Sequence, residues 1–399
     1  MFFLFVIAIL LFLYSLHRPS LSKILFIGFS LRTFTALFHY YIAPLSAPNQ
    51  DASSFEATAW AWAQDGFVHA FKSFPGPDSY FISWPISLLY SLFGRSPLMA
   101  QSISIFFGMA SIIAGWHLAR ELWGERAAKK AAWIIALFPM FIMLHAVIMR
   151  EAYIHFFITL ALIGIVHWFR KPDIRALFLV VFGLVCATFF HGAIFLGLVI
   201  FALLLLIHTA VRLSYTLPKL RVPFSYAFFS IVAIISLSLC LATALHLPKI
   251  GTLANAIEPE TILDQSMRRA RGEAQYPDWV HPQNVNQLVW KAPLHFGYFL
   301  FSPLPWDIHH PRQLLGLVDS IIYIICIVTL WKHWRTIWSD PGSRYLLLFL
   351  ILCMFVFSFG TANLGIALRH RAKFVIGLIA LVSPWIWHLS FGLGLKQKK

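Results

Sequence analysis

Residues 97–148 read PLMAQSISIFFGMASIIAGWHLARELWGERAAKKAAWIIALFPMFIMLHAVI. An apolar run over 97–119 gives way to a short link carrying Arg120, Arg126, Lys129 and Lys130, and a second apolar run follows over 131–148. Each run is close to the roughly 20 residues that a helix needs to cross a hydrocarbon core of about 30 Å. Two such runs around a short basic link predict antiparallel membrane helices with the link on the cytoplasmic side.

The same alternation extends in both directions. Of 399 residues, 59% are hydrophobic and only 12% charged, with a mean hydropathy of +0.75. Soluble domains are far less apolar, so a set of soluble domains is excluded. The expected fold class is an all-α polytopic membrane protein. Spans are predicted at 2–16, 24–43, 97–119, 131–148, 152–169, 175–190, 193–211, 226–246, 314–331, 345–360 and 373–391, about eleven in all. Residues 2–16 lack a basic leader and a small-residue cleavage site, so they read as a short first span and not as a signal peptide. Three units follow: residues 1–246 as one transmembrane module, 247–313 as a long outer loop, and 314–399 as a second transmembrane module.

The formal charge of +15 reads as topology, not as a nucleic-acid footprint. Short links with Arg18 and Lys23, with Arg170, Lys171 and Arg175, with Arg212, Lys219 and Arg221, and with Lys332, Arg335 and Arg344 fall on one side. The other side receives the segments 44–96 and 247–313 and short turns near 149–151, 191–192 and 361–372. Cys186, Cys240, Cys326 and Cys353 all lie in apolar runs without CxxC spacing and read as small buried hydrophobes.

The outward segments carry the chemistry-bearing residues. In NQDASSFEATAWAWAQDGFVHAF (49–71), Asp51 stands where a helix would begin, and Trp60, Ala63, Phe67 and Phe71 follow at helical spacing along the membrane surface. Residues 80–94 predict a second interfacial helix. Asp51 alone is either a helix cap or a working acid. Arg150 and Glu151 sit at the next outward turn, where an acid between apolar runs points to function unless it merely pairs with its neighbour. His191 in FFHGA occupies a similar turn and is a candidate substrate contact or a plain interfacial polar group. Arg369, His370, Arg371 and Lys373 crowd donors at a position the charge bias disfavours; guanidinium forks suit phosphate and diphosphate oxygens, and a lipid-headgroup anchor is the alternative.

In the long loop, Asp264 and Arg268 suit one helix face, while Trp306, Asp307, His309 and His310 offer substrate contacts or weak metal ligands. Arg32 reads as the one charge deep in a span. No internal repeat relates the halves, which argues against an alternating-access transporter.

From Asp51 to about residue 210 the chain resembles the GT-C superfamily of integral-membrane glycosyltransferases. It is similar in particular to the family-39-like bacterial proteins, protein O-mannosyltransferases and the lipid A aminoarabinose transferase. The residues that carry the likeness are Asp51 with Phe55, the run Ala59, Ala61, Ala63 and Gly66, the LFG ending at Gly94, HLARELWGERAAKKAAWIIALFP (117–139), and Glu151 in MREAYIHF. The resemblance implies a GT-C-like bundle and transfer of a sugar from a polyprenyl-phosphate donor to a lipid or glycan acceptor. The expected setting is the periplasmic face of a bacterial inner membrane, in cell-envelope or exopolysaccharide synthesis.

It assigns Asp51 to the acceptor or to a divalent metal such as Mg or Mn, with Glu151 shaping the same site. Arg369, Arg371, Lys373 and Arg150 would then hold donor phosphate, and His191, Trp306 and His309 would contact substrate. A lysine common in the family stands where this chain has His191. Two alternatives stay open: a polymerase or ligase using lipid-diphosphate oligosaccharides, and a flippase of lipid-linked sugars.

Overall fold

The computed structural model describes residues 1–45, 49–216, 260, 263, 274–310 and 313–386. Among these the regular structure is helical: α1 (Phe2–His17), α2 (Ser22–Tyr41), α3 (Asn49–Ala63), α4 (Phe67–Lys72), α5 (Ser83–Phe93) and α6 (Pro97–Trp123). The series continues with α7 (Glu125–Leu137), α8 (Pro139–His145), α9 (Glu151–Arg170), α10 (Ile174–Phe190) and α11 (Phe195–Thr216). The final set is α12 (Val285–Phe301), α13 (Leu314–Lys332), α14 (Trp334–Ser339), α15 (Pro341–Phe359) and α16 (Leu364–Val382).

Among the described residues, six helical segments are long and apolar enough to cross a membrane: Pro19–Tyr41, Pro97–Trp123, Glu151–Arg170, Gly192–Arg212, Leu314–Lys332 and Pro341–Phe359. The chain is thus a multi-pass, all-helical protein. The predicted span at 131–148 is instead a pair of helices, α7 and α8, bent by 60°. Pro139 supplies no N–H to the ladder, and Phe138 before it is extended at φ −64, ψ 116, as a residue preceding proline prefers. α1 and α10 are shorter apolar helices. The predicted span 226–246, Asp264 and Arg268 lie outside the described residues.

Two boundaries differ in ways that matter for the site. The last span was predicted to begin at Lys373; α16 begins at Leu364, where the Asn363 side chain accepts from the backbone N–H of Gly365. The basic cluster is therefore built into a helix and not a loop. In the first outer segment, α3 stops at Ala63 and α4 restarts at Phe67, broken at Gly66 with φ 88, so the expected continuous surface helix is two pieces. Residues 285–301, expected as loop, form α12 despite Pro293.

α9 is the central strut, packed against α6, α10, α15 and α16. Its approach to α10 depends on glycine at two places: a Cβ at Gly164 would lie 2.6 Å from the Ala176 carbonyl oxygen, and one at Gly183 would lie 2.5 Å from that of Phe157. Small residues at such crossings let backbones meet, which is how membrane helices gain contact without a hydrophobic driving force.

One end of the bundle is tied by the basic links. Arg170 donates from Nε and Nη2 to Asp340, each at 3.0 Å, and Lys130 Nζ reaches the Pro384 carbonyl at 2.9 Å. Burial would raise the Asp340 pKa, but hydrogen bonds from Arg170 and Ser343 outweigh it and hold the carboxyl below its ordinary value. Asp51, Arg150, Glu151 and His191 stand at the other helix ends, so the antiparallel order gathers them at the opposite end.

Candidate active site

α3 carries Asp51 in its first turn, where a carboxylate also favours the helix N-terminus. The helix is fixed from behind by Glu56. Arg95 donates to it in a two-pronged pair, Nε to Oε1 at 3.0 Å and Nη2 to Oε2 at 2.8 Å, and Tyr90 OH adds a bond at 3.1 Å. Burial first, then the neighbouring Glu56 charge, pushes the Tyr90 pKa up, so its hydroxyl stays a donor. Ser83 Oγ donates to the Phe55 carbonyl at 2.8 Å and ties α5 to the same helix. Residues 49–56 are thus positioned by a bracket of polar contacts on the side away from the site.

Arg369 joins the site together. Its Nη1 donates to Asp51 Oδ2 at 2.7 Å and its Nε to Glu151 Oε1 at 3.1 Å. Residues separated by as many as 318 positions therefore meet on one guanidinium. The planar fork suits this bridge, since its N–H groups point at two carboxylates at once. Asp51 is about half exposed, whereas Glu151 is buried with its second oxygen, Oε2, unpartnered.

Two more cations face Glu151: Lys373, one turn beyond Arg369 on α16, and Arg150. Lys373 is 2% exposed, donates to the Arg369 carbonyl at 3.2 Å, and pairs with no carboxylate among the described residues. Arg150 donates to the Phe190 carbonyl at 3.2 Å and lies over the Phe55 ring. Asp78 also acts on Arg150, so Arg369, Lys373 and Arg150 are set against three carboxylates, and what suits a bound anion is the convergence of three cations at one place and not an excess of charge. His191 closes this edge beside His370, ring centroids 5.4 Å apart. Burial, reinforced by the Lys373 and Arg150 charges, pulls the His191 pKa well down although Glu151 opposes it. His191 is therefore neutral at physiological pH.

The structure separates the other candidates from this cluster. Arg371 is fully buried and spent elsewhere: it donates to Asp319 (Nη2 at 2.9 Å), to Ser320 Oγ at 3.0 Å and to the Leu300 carbonyl at 2.7 Å. Two residues on from Arg369 in a helix, it necessarily points to another face. Its place as a phosphate ligand is corrected to that of an internal brace between α16, α13 and α12. Asp319 also corrects the reading of Arg32 as the one charge deep in a span, because it is buried within α13. His309 lies instead beside the 275–278 segment, where it lines a separate cavity with Gln275 and Asp278, and Trp306 stands exposed in the Pro305–Asp307 turn.

Arg32 reaches the carbonyls of Gly28 and Ala136, each at 3.0 Å, and His145, which contacts His155 at 2.8 Å one turn below Glu151. This buried polar row underlies the site. Sequence reasoning passed over His145, His155 and Asp319, although each is a polar residue inside an apolar run and so carried the signal. A cavity of about 200 Å³ lined by Ser53, Glu56, Gln101 and Ile148 opens on the Glu56 side of α3.

A divalent ion would have to compete with Arg369 for both carboxylates, and no group of three or more His, Cys, Asp or Glu side chains converges as metal ligands among the described residues. The residues present do not fit a preformed metal site at Asp51 and Glu151. Comparison with known proteins gives no matching family model and no matching curated relative.

Proposed function

We propose that this protein is a membrane glycosyltransferase of the GT-C type, moving a sugar from a polyprenyl-phosphate carrier to a hydroxyl acceptor at the outer face of a bacterial inner membrane. The observation that carries the reading is the bridge Asp51–Arg369–Glu151 with Lys373 buried beside it and lacking a carboxylate partner among the described residues. A buried ammonium is costly, the Glu151 carboxylate it faces is already bonded to Arg369, and a phosphate ester is an anion able to offset that cost.

In this reading Asp51, the half-exposed member, accepts the proton of the acceptor hydroxyl as that oxygen attacks the anomeric carbon. The bond from the anomeric carbon to the phosphate oxygen breaks, and the phosphate leaves with the electron pair. Lys373 and Arg150 stabilise the charge that develops on it. Glu151, held by the same arginine, fixes the guanidinium and so the orientation of Asp51. The attacking and leaving oxygens occupy opposite sides of the sugar carbon, giving inversion. This chemistry is complete with the chain's own residues.

Three converging cations also suit a diphosphate, which keeps a polymerase or ligase of lipid-diphosphate oligosaccharides as the second reading. The two differ in product. Purified protein in nanodiscs, supplied with polyprenyl-linked mono- and oligosaccharides and a glycan acceptor, is expected to yield an inverted glycoside detected by mass spectrometry. A single added sugar supports the transferase, and a ladder of repeats supports the polymerase. Movement of intact lipid-linked sugar between leaflets without any new glycoside would overturn both.

A further inference from the structure

A second cavity, of about 300 Å³, opens outside the spans between residues 275–278 and 307–309. Its wall is stapled to the start of α16: Tyr276 N donates to the Ala362 carbonyl at 3.0 Å, Leu364 N to the Ala274 carbonyl at 2.8 Å, and Gln275 bridges Asn363. Leu364 lines the cavity, five residues before Arg369. At 1.5 Å of rise per residue, that is roughly 8 Å along the helix axis. One glycan chain can therefore reach both places.

The lining has a distinct chemistry. Asp278, Gln275 and His309 offer a carboxylate, an amide and an imidazole, all on exposed residues. Asp307 is buried and braced, accepting from Tyr298 OH and from Leu304 N–H. Tyr298 also meets the edge of Trp279 at 5.8 Å between centroids. Trp279 is 55% exposed and Trp306 66% exposed, and each directly adjoins a lining residue in the chain, Trp279 after Asp278 and Trp306 before Asp307, while the Tyr276 ring is itself in the lining.

Polar acceptors paired with aromatic faces are what a sugar ring needs. Its hydroxyls donate to carboxylate and amide oxygens, and its C–H faces rest on the electron-rich aromatic surface. The formal charges in the lining are both carboxylates, the reverse of the cluster at Arg369, Lys373 and Arg150.

We propose that this cavity is a saccharide subsite for an uncharged sugar residue of the acceptor glycan, set apart from the phosphate-binding end of the molecule. Its bearing on the acceptor rests on the glycosyltransferase reading, whereas sugar binding itself does not. The pair of carboxylates rejects uronic acids and phosphorylated sugars, so acceptor selection occurs here by charge. Exposed tryptophans also anchor proteins in lipid headgroups, but carboxylates beside them are repelled by an anionic membrane surface.

The test is equilibrium binding of neutral trisaccharides of glucose, galactose, mannose and N-acetylglucosamine to the full chain in nanodiscs, with a glucuronic acid trisaccharide as the charged control. At least one neutral sugar is expected to bind and the glucuronate is not. Trp279→Ala and Trp306→Ala are each expected to weaken binding about tenfold, the worth of roughly 1.4 kcal/mol. Asp278→Asn is expected to admit the glucuronate, an outcome that a merely structural role would not produce.

No neutral sugar bound, or binding indifferent to both tryptophans, would overturn the proposal. So would quenching by lipid-borne bromine of the tryptophan fluorescence that Trp306→Ala removes, with sugar binding absent, which would make the aromatics lipid anchors. Sugar binding without any transfer by the wild type would remove the glycosyltransferase reading and leave the subsite standing.

Discussion

At the scale of single residues, Arg369 has two duties that mutation can separate. It neutralises Glu151, which is buried, and it orients Asp51, which is half exposed. Removing one partner of a buried pair costs about 3–5 kcal/mol, because the other charge remains desolvated. Arg369→Gln is therefore expected to lower both thermal stability and transfer. Arg369→Gln combined with Glu151→Gln should regain most of the stability and none of the transfer, as read by thermal unfolding in nanodiscs beside a transfer assay. If the double variant is as unstable as the single one, Glu151 is not the charge that Arg369 serves.

Arg371 gives the contrasting case. Its pair with Asp319 lies wholly inside the bundle, so Arg371→Met together with Asp319→Leu should be near neutral for folding and keep transfer, whereas Arg371→Met alone should destabilise. A large rise in donor KM in the double variant would return Arg371 to the phosphate site.

His191 adds a pH dependence. Its folded pKa lies below the ordinary value of 6.5, so the folded protein binds fewer protons there than the unfolded chain. Its contribution is complete above pH ~6.5 and is lost as pH falls below that unfolded value. The stability decline between about pH 6.5 and 5 should be shallower in His191→Asn. An unchanged decline would place the sensitivity elsewhere.

At the scale of elements, the hydropathy pattern made most helices visible because each must bury or face lipid with a long apolar run. What it hid were the helices whose starts are polar. α16 begins nine residues before the predicted span, since Arg369, Arg371 and Lys373 lower the hydropathy of turns that the Asn363 cap and burial nonetheless keep helical. Pattern alone likewise gave 131–148 as one straight span, although Pro139 was visible in it and its missing N–H bends the pair α7–α8.

The α9–α10 crossing yields a sharper expectation. Gly183→Leu places side-chain atoms where the Phe157 carbonyl oxygen and Ala161 lie 2.5–3.0 Å from a Cβ, so the helices must part. Because α9 carries Glu151 at its first position and His191 caps the end of α10, this change about two turns from His191 should reduce transfer along with thermal stability. Unaltered transfer and stability would mean that the crossing tolerates separation.

At the scale of the whole molecule, the charge bias along the sequence sorted the links into two sets, and the structure places the predicted outward residues Asp51, Arg150, Glu151, His191 and Arg369 together at one end. That grouping was legible because Asp51 and Glu151 each stand where an apolar run ends. Their shared contact with Arg369 was not legible, since it depends on the packing of α3, α9 and α16 and not on any local spacing. Arg369 and Arg371 look alike in sequence; only their positions on two faces of one helix give them different partners.

The central claim is that Asp51 is the base of a sugar transfer whose leaving phosphate sits by Lys373. Its most direct test is the transfer rate of purified Asp51→Asn and Lys373→Ala proteins beside the wild type, with insertion and folding verified for each. The account predicts a loss of about 100-fold or more for Asp51→Asn, within the range for general-base removal. It predicts a raised donor KM for Lys373→Ala. A folded Asp51→Asn protein that transfers sugar at the wild-type rate would contradict it.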